Sequence, residues 1–305
     1  MCFIQKVGAA IQVPPNAARV LHHLNVLPKL LLHARSHEYF SVRRYDNDEE
    51  LSLNPWNTTL DRVPFKSYSI HRADLHNALY DTAVASGVQI HTNCRVLDVD
   101  LASPPRFLVQ GRAENREEWV SADLIIGADG LKSRVRRAIL QQHSEEEQVV
   151  PTGDSAYRLL IPQALMLQDP DTAELIKVQF VMLFSLATVI LTCNRNALRW
   201  MGPHGHVMSY PIDSRSGRYY NMVLIHPDRN KVDESWTATA TKESMKQSFA
   251  NWCPRFQKLL DLAPEQVPEW SLRLHKPLES WCHGQVCLLG GQSRIYARRT
   301  ALTFD

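Results

Sequence analysis

A carboxylate stands where this chain's chemistry is easiest to read. Asp129-Gly130 closes the apolar run Asp123-Leu-Ile-Ile-Gly-Ala and is followed by Leu-Lys-Ser-Arg-Val-Arg, ending at residue 136. An apolar run closed by glycine and Asp-Gly predicts a buried parallel strand that stops in a tight turn. Ser133 predicts an N-cap for a helix over residues 134 to 142, with Val135, Ala138 and Ile139 as its apolar stripe. Strand, turn and helix together set polar backbone and one carboxylate at the carboxyl end of a strand, where open α/β sheets bind ligands. Metal and thiol chemistry have weaker support. The six cysteines show no CxxC pair, and His204-x-His206 has no acidic or cysteine companion nearby, so neither a metal site nor a disulfide frame is expected. On residue type alone, Arg72 is a first-turn surface residue of a helix, Arg158 an ion-paired strand residue and Tyr210 a core aromatic.

These residues need elements to hold them, and 305 residues suffice for one large or two ordinary domains. Pro14-Pro15-Asn16 predicts a turn into a helix with Ala17, Val20, Leu21 and Leu24 on one face. Residues 39 to 53 predict two short strands. A helix led by Arg72 presents Leu75, Leu79, Thr82 and Ala83 and is closed by Gly87. Residues 88–91, 95–100, 107–110 and 118–121 predict strands, as do residues 219–227. Residues 243–262 predict one amphipathic helix with Met245, Phe249, Trp252, Phe256, Leu259 and Leu260 on its packed face. Residues 178–194 carry no charge. They fall short of the roughly 20 residues of a membrane span, which predicts a buried strand or helix. A net charge of +2, with 44% hydrophobic and 22% charged residues, is that of an ordinary globular protein and gives no argument for a nucleic-acid partner. The N-terminus lacks the features of a signal peptide, and a cytoplasmic protein with reduced thiols is expected.

The string over residues 123–136 resembles the second flavin-binding signature of the FAD-dependent aromatic hydroxylases, the class A flavoprotein monooxygenases of salicylate-hydroxylase-like, fungal type. Further strings agree in order. Gly8-Ala-Ala-Ile-Gln-Val-Pro-Pro-Asn resembles the family's GAGIQxPPN segment, with Ala10 in place of a glycine. His71-Arg-Ala-Asp-Leu-His resembles its HRADLH motif, and Tyr157-Arg-Leu-Leu-Ile-Pro its YRxxIP strand. Arg199-Trp-Met-Gly-Pro through Tyr210-Pro resembles its RWxGPxxHVxxYP strand pair, and Leu288-Leu-Gly the start of its LLGDAxHP signature. The resemblance implies an α/β fold: a glutathione-reductase-like FAD-binding domain, incomplete here, packed with a mostly antiparallel substrate-domain sheet. It implies FAD contacts from Gly8, Ala10, Arg72, the backbone at Val96, Asp129, Gly130 and Gly290. It places Arg158 and Tyr210 in the substrate pocket, where a cation holds a phenolate oxygen and a phenol hydrogen-bonds it. The implied activity is aromatic hydroxylation, with NAD(P)H as co-substrate and an aromatic small molecule and O2 as partners.

The departures from the family define further expectations. No GxGxxG occurs in the sequence, and the βαβ unit that carries it needs about 30 residues, so a chain truncated at both ends is expected. After Gly290 the sequence reads Gly291-Gln-Ser-Arg where the family has Asp, His and Pro. The expected organisation is a partial FAD-binding domain over residues 1–150, a substrate sheet and helix over 151–277, and a return to the FAD domain over 278–305. Residues 178–195 are expected to be an insertion, with translated intron as one origin. An alternative expectation is a catalytically inactive, truncated or mis-spliced relative with weak or no FAD binding. A membrane anchor formed by residues 178–194 is the weakest of the readings.

Overall fold

The computed structural model of the chain describes residues 10–57, 64–111, 116–142, 149–176, 178–182, 189–193, 196–228 and 238–290. Packing divides the chain into two units, Met1–Val88 with Asp154–Ser271, and Gln89–Gly153 with Leu272–Asp305. The chain opens with β1 (Ala10–Val13), α1 (Pro15–His23), α2 (Leu27–Leu31), β2 (Tyr39–Arg44), β3 (Glu50–Pro55), β4 (Tyr68–His71) and α3 (Arg72–Ala85). The second unit follows with β5 (Cys94–Asp100), β6 (Arg106–Gly111), β7 (Glu117–Ser121), β8 (Ile125–Gly127) and α4 (Arg134–Gln142). Next come β9 (Val149–Pro162), α5 (Gln163–Met166), α6 (Pro170–Ala173), β10 (Val178–Met182), β11 (Val189–Cys193) and β12 (Ala197–Gly202). The first unit closes with β13 (Gly205–Ser214), β14 (Gly217–Pro227), β15 (Thr239–Thr241), α7 (Lys242–Ser248), α8 (Pro254–Asp261) and β16 (Gln266–His275). The hairpin of β17 (Cys282–His283) and β18 (Val286–Leu288) ends the described chain. The fold is α/β.

The first unit is built on an eight-stranded sheet of order β15-β16-β9-β14-β13-β12-β2-β3. Neighbours are antiparallel around its centre, while β12 and β2 run parallel. That parallel pairing draws the first 88 residues into the same unit as 154–271. Period-two alternation splits each central strand between two faces. Tyr157, Leu159 and Ile161, Tyr220, Met222 and Leu224, Leu198 and Trp200 face a core closed by Met245, Phe249, Phe256, Leu259 and Leu260. Each such large side chain contributes on the order of 1.5–3 kcal/mol when fully buried. Trp200 is fully buried and donates from Nε1 to Asp48 Oδ1 at 2.7 Å. Asp48 in turn receives Arg43 at 3.0 Å and Arg255 at 2.8 Å.

Several local expectations are corrected. Residues 243–262 form two helices, α7 and α8, not one. Pro254 is the reason: Cys253 is extended, with φ −52° and ψ 154°, and Pro254 starts α8 at its first position. The Cys253 amide, freed from a helix ladder, donates to the Tyr45 carbonyl at 2.7 Å. In α1 the buried residue is Ala18, while Val20 and Leu24 are exposed, because a small side chain allows close approach to Val13, Leu30 and Ile70. In α3 the buried residues are Asp74 and Ala78, with Leu79 exposed. Asp74 turns inward because it receives the Arg215 amide at 3.3 Å. Residues 88–91 are not a strand. Gly87, at φ 79°, closes α3, and the Val88 amide is taken by the Ala83 carbonyl at 3.1 Å. Residues 178–182 and 189–193 form an antiparallel pair, β10 and β11, a sheet of their own.

In the second unit, β5, β6 and β7 form an antiparallel sheet. Beside β17, β18 pairs in parallel with β8, the parallel strand expected at residues 123–127, but the run is buried on one face only, with Leu124 and Ile126 exposed. Its core joins Val99, Ile125, Val135, Ala138, Ile139, Val286 and Leu288. Gly127 is required by close approach, since a Cβ there would lie 2.6 Å from the Val135 Cβ. Among the described residues no helix is long and apolar enough to cross a membrane.

Candidate cofactor-binding and substrate-facing residues

Within the first unit, strand pairing gathers residues that are far apart in sequence. β1 lies antiparallel to β4 with Ala10 opposite His71, so Ala10 stands next to the start of α3 and Arg72. His71 caps that helix, its Nδ1 accepting from the Ala73 amide at 3.3 Å. The Ala10 amide donates to Oδ1 of buried Asn221 at 3.2 Å. Asn221 lies opposite Tyr210 on β13 and Leu160 on β9. Arg158 is paired with Val223, two residues along β14, and alternation therefore puts Arg158, Asn221 and Tyr210 on one face. That face is the reverse of the one buried under α7 and α8. Arg199 occupies the same cross-strand row as Arg158, through Val223 and Met208.

The electrostatics of this face favour an electron-rich ligand. Among the described residues, Arg158 Nε, Arg199 Nε and Asn221 Nδ2 are buried donors that meet no acceptor, as is Trp56 Nε1. The Arg158 guanidinium carbon sits 5.3 Å from the centre of the Trp270 ring, a cation–π distance. Burial holds the Arg158 pKa below its ordinary value, while Tyr210 raises it and neighbouring Arg72 lowers it. Two cations close enough to repel each other favour an anion or an oxygen-rich group between them. Tyr210 is 4% exposed, and burial pushes its phenol up to about 12 against the pull of Arg158, so it stays a protonated donor at neutral pH. His206 is brought down to about 4 by burial and then by Arg199, opposed by Asp154, and is a neutral ring at pH 7. Buried unpaired donors cost about 1–3 kcal/mol each until an acceptor meets them.

The second unit holds the other predicted residues. The Asp129 carboxylate is engaged in the turn itself: Oδ1 accepts from Ser133 Oγ at 2.5 Å and Oδ2 from the Arg134 amide at 2.6 Å. Ser133 Oγ accepts from the Arg136 amide at 2.9 Å, the N-cap expected from sequence. Gly130 has φ 76° and Gly290 φ 94°, conformations that favour glycine. The Leu289 amide donates to the Gly127 carbonyl at 2.8 Å, so the Asp129–Gly130 turn and Gly290 lie together at the carboxyl ends of parallel β8 and β18. Val96 sits on the separate β5–β6–β7 sheet, next to a bulge. Gly8 lies outside the described residues.

Sequence reasoning missed Asn221, His37 and Trp56. His37 is buried, hydrogen-bonded through Nε2 to Ser69 Oγ at 2.8 Å, and its ring packs 5.3 Å from that of Tyr210 and 5.4 Å from that of Trp56. A lone amide inside the apolar run Tyr219-Tyr-Asn-Met-Val-Leu-Ile was the available signal for Asn221. His37 and Trp56 flank short strands and carry no such signal. Among the described residues no cluster of His, Cys, Asp or Glu can hold a metal ion.

Residues 9–291 match the family model described as FAD binding domain. The chain is 31% identical over 288 residues to the FAD-dependent monooxygenase atnJ of Arthrinium sp, covering 94% of this chain and 61% of that protein. It is 27% identical over 301 residues to 3-hydroxybenzoate 6-hydroxylase of Klebsiella oxytoca, covering 98% and 67%. In fold it resembles the solved salicylate hydroxylase substrate complex, with a TM-score of 0.68 at 21% identity over 94% of this chain and 66% of that one. The chain thus spans about three fifths of the length of the first of these curated relatives. The turn after β8, the sheet and the match over residues 9–291 agree, and the chain belongs to the FAD binding domain family.

Proposed function

We propose that this chain forms the FAD-holding and substrate-facing part of a monooxygenase that uses NAD(P)H and O2 to hydroxylate a phenolic or other aromatic small molecule. The observation that carries this reading is the single sheet face bearing the buried donors Arg158 Nε and Asn221 Nδ2 beside the Tyr210 phenol. Its residue types fit the family's cofactor and an aromatic substrate. Gly8, Ala10, Arg72, the Val96 backbone, Asp129, Gly130 and Gly290 would hold FAD, in the first unit and the second respectively. Arg72 suits a phosphate or carbonyl oxygen, since a guanidinium presents several donors in one plane. The positive φ of Gly130 and Gly290 lets backbone approach a ligand without a Cβ in the way. In domain terms, residues 1–150 and 278–305 supply FAD-domain segments and 151–277 the substrate sheet.

Bound FAD supplies the redox chemistry that activates oxygen. Arg158 fixes the substrate's phenolate or carboxylate by charge, and the protonated Tyr210 donates a hydrogen bond to the same oxygen, orienting the ring that is to be attacked. Neutral His206 adds no competing cation on that face. The free cysteines among the described residues favour a reducing, cytoplasmic setting. A second reading, a relative that binds FAD weakly or turns over no substrate, draws support from Gly291-Gln-Ser, which replaces the family's acidic signature after Gly290. Incubating the purified chain with FAD, NADH or NADPH and a panel of phenols separates the two. Hydroxylated product formed with NAD(P)H consumption supports the first reading, and its absence across the panel supports the second.

A further inference from the structure

The β17–β18 hairpin places two thiols face to face. Cys282 and Cys287 are register partners, one pair out from His283 and Val286, which flank the two-residue turn Gly284-Gln285. Gly284, at φ 55°, occupies the first turn position, where tight two-residue hairpins of type II′ take glycine. In such a hairpin the pair next to the turn is hydrogen-bonded and the next is not. The alternation is visible one step further out, where the Leu288 amide donates to the Trp281 carbonyl at 2.8 Å. Cys282 and Cys287 are thus a non-hydrogen-bonded pair, the kind whose Cα atoms approach to about 4.5 Å with side chains on the same face, inside the span a disulfide bridges. The neighbouring Cys282 thiol and, to a lesser degree, burial hold the Cys287 thiol above its ordinary range. Cys282 is exposed and Cys287 half-buried, so an external reagent reaches Cys282 first while Cys287 stands behind it.

We propose that Cys282 and Cys287 form a reversible intrachain disulfide by exchange with a small-molecule disulfide of the glutathione class. The Cys282 thiolate attacks one sulfur of the oxidised reagent, forming a mixed disulfide and expelling one thiolate. Cys287 then gives up its proton and attacks the Cys282 sulfur, closing the intrachain bond and expelling the second thiolate. Two protein thiols are oxidised and one external disulfide is reduced to two thiols. The bond staples β17 to β18, the strand that pairs with β8 and runs into Gly290, so the redox state of the pair sets how firmly the end of β18 is held. No cofactor or substrate takes part in the exchange, and the bond forms whether or not the chain hydroxylates anything.

The test is to incubate the full chain with oxidised glutathione, alkylate remaining thiols, and weigh the tryptic peptide that contains both residues. The expected result is loss of two hydrogens on that single peptide, loss of alkylation at both cysteines, and full reversal by excess reduced glutathione. The Cys94→Ser variant should behave identically, and Cys287→Ser should leave a glutathione adduct trapped on Cys282. Full alkylation of both residues in the intact chain would overturn the proposal. So would a stable glutathione adduct on Cys282 with Cys287 present, or a link from either residue to exposed Cys94.

Discussion

Asn221 holds the backbone amide of Ala10 at 3.2 Å across 211 positions of sequence, joining the first strand of the described chain to the centre of the large sheet. Asn221 is also the register partner of Tyr210, so one strand position stands next to both the expected cofactor segment and the expected substrate residue. Asn221→Ala leaves the Ala10 amide buried without its acceptor and should destabilise the chain by about 1–3 kcal/mol. Asn221→Asp keeps an acceptor and should recover part of the loss. Urea unfolding of the three proteins checks the order.

Tyr210 should keep its proton through the neutral range, since burial lifts its pKa to about 12. A folded pKa above the unfolded value means that the native state holds its proton longer. The associated stability is therefore fully present below about pH 10 and lost as pH rises towards about 12. An ultraviolet phenol titration of wild type against Tyr210→Phe should show one tyrosine missing from the late, high-pH part of the curve. In turnover with a phenolic substrate, Tyr210→Phe should lower kcat by about 10- to 1000-fold if the hydroxyl stabilises developing oxygen charge, with little change in FAD affinity.

His206 has the opposite sign. Its folded pKa of about 4 lies below the ordinary 6.5, so the unfolded chain binds the proton more readily. The stability it contributes is present above pH 6.5 and disappears as pH falls to about 4. His206→Asn should flatten that acid limb by on the order of 1 kcal/mol, because the half-buried ring is partly screened by solvent. Thermal unfolding followed between pH 4 and 7 reads the difference.

Asp129 has a structural duty that precedes any ligand. It receives Ser133 Oγ and the Arg134 amide at the start of α4, so Asp129→Ala should cost about 1–2 kcal/mol as a lost helix cap. Gly127→Val should cost more, since even a Cβ would collide with Val135. Chemical denaturation monitored in the second unit distinguishes both from a pure ligand-contact loss, which would leave the unliganded chain's stability unchanged.

The second unit's chemistry was legible because it is local. Apolar strand, Asp-Gly turn, Ser133 cap and the helix over 134–142 lie within twenty residues, and each follows from neighbours in sequence. The antiparallel strands β5, β6, β7 and β14 were equally visible, for alternation is written along each strand. The first unit's face was only partly legible. Arg158 and Tyr210 were named, but nothing local reveals that Asn221, opposite Tyr210, accepts from the Ala10 amide, or that His37 and Trp56 pack near Tyr210, because those contacts join segments far apart in sequence. The split of residues 243–262 into two helices turned on Pro254, whose ring outweighed a continuous apolar stripe. In α1 and α3 the expected apolar faces left out the residues that are most buried, Ala18 and Ala78, while Val20, Leu24 and Leu79, which they included, are exposed.

By this reading the chain holds FAD, with exposed Arg72 at the start of α3 among the residues that contact it. The most direct measurement is calorimetric titration of the purified chain with FAD, run in parallel with Arg72→Ala. Saturable binding at one FAD per chain is expected, weakened about 10-fold or more in the variant by loss of a charge-assisted contact. Absence of saturable binding by the wild-type chain, or identical binding by both proteins, would contradict it.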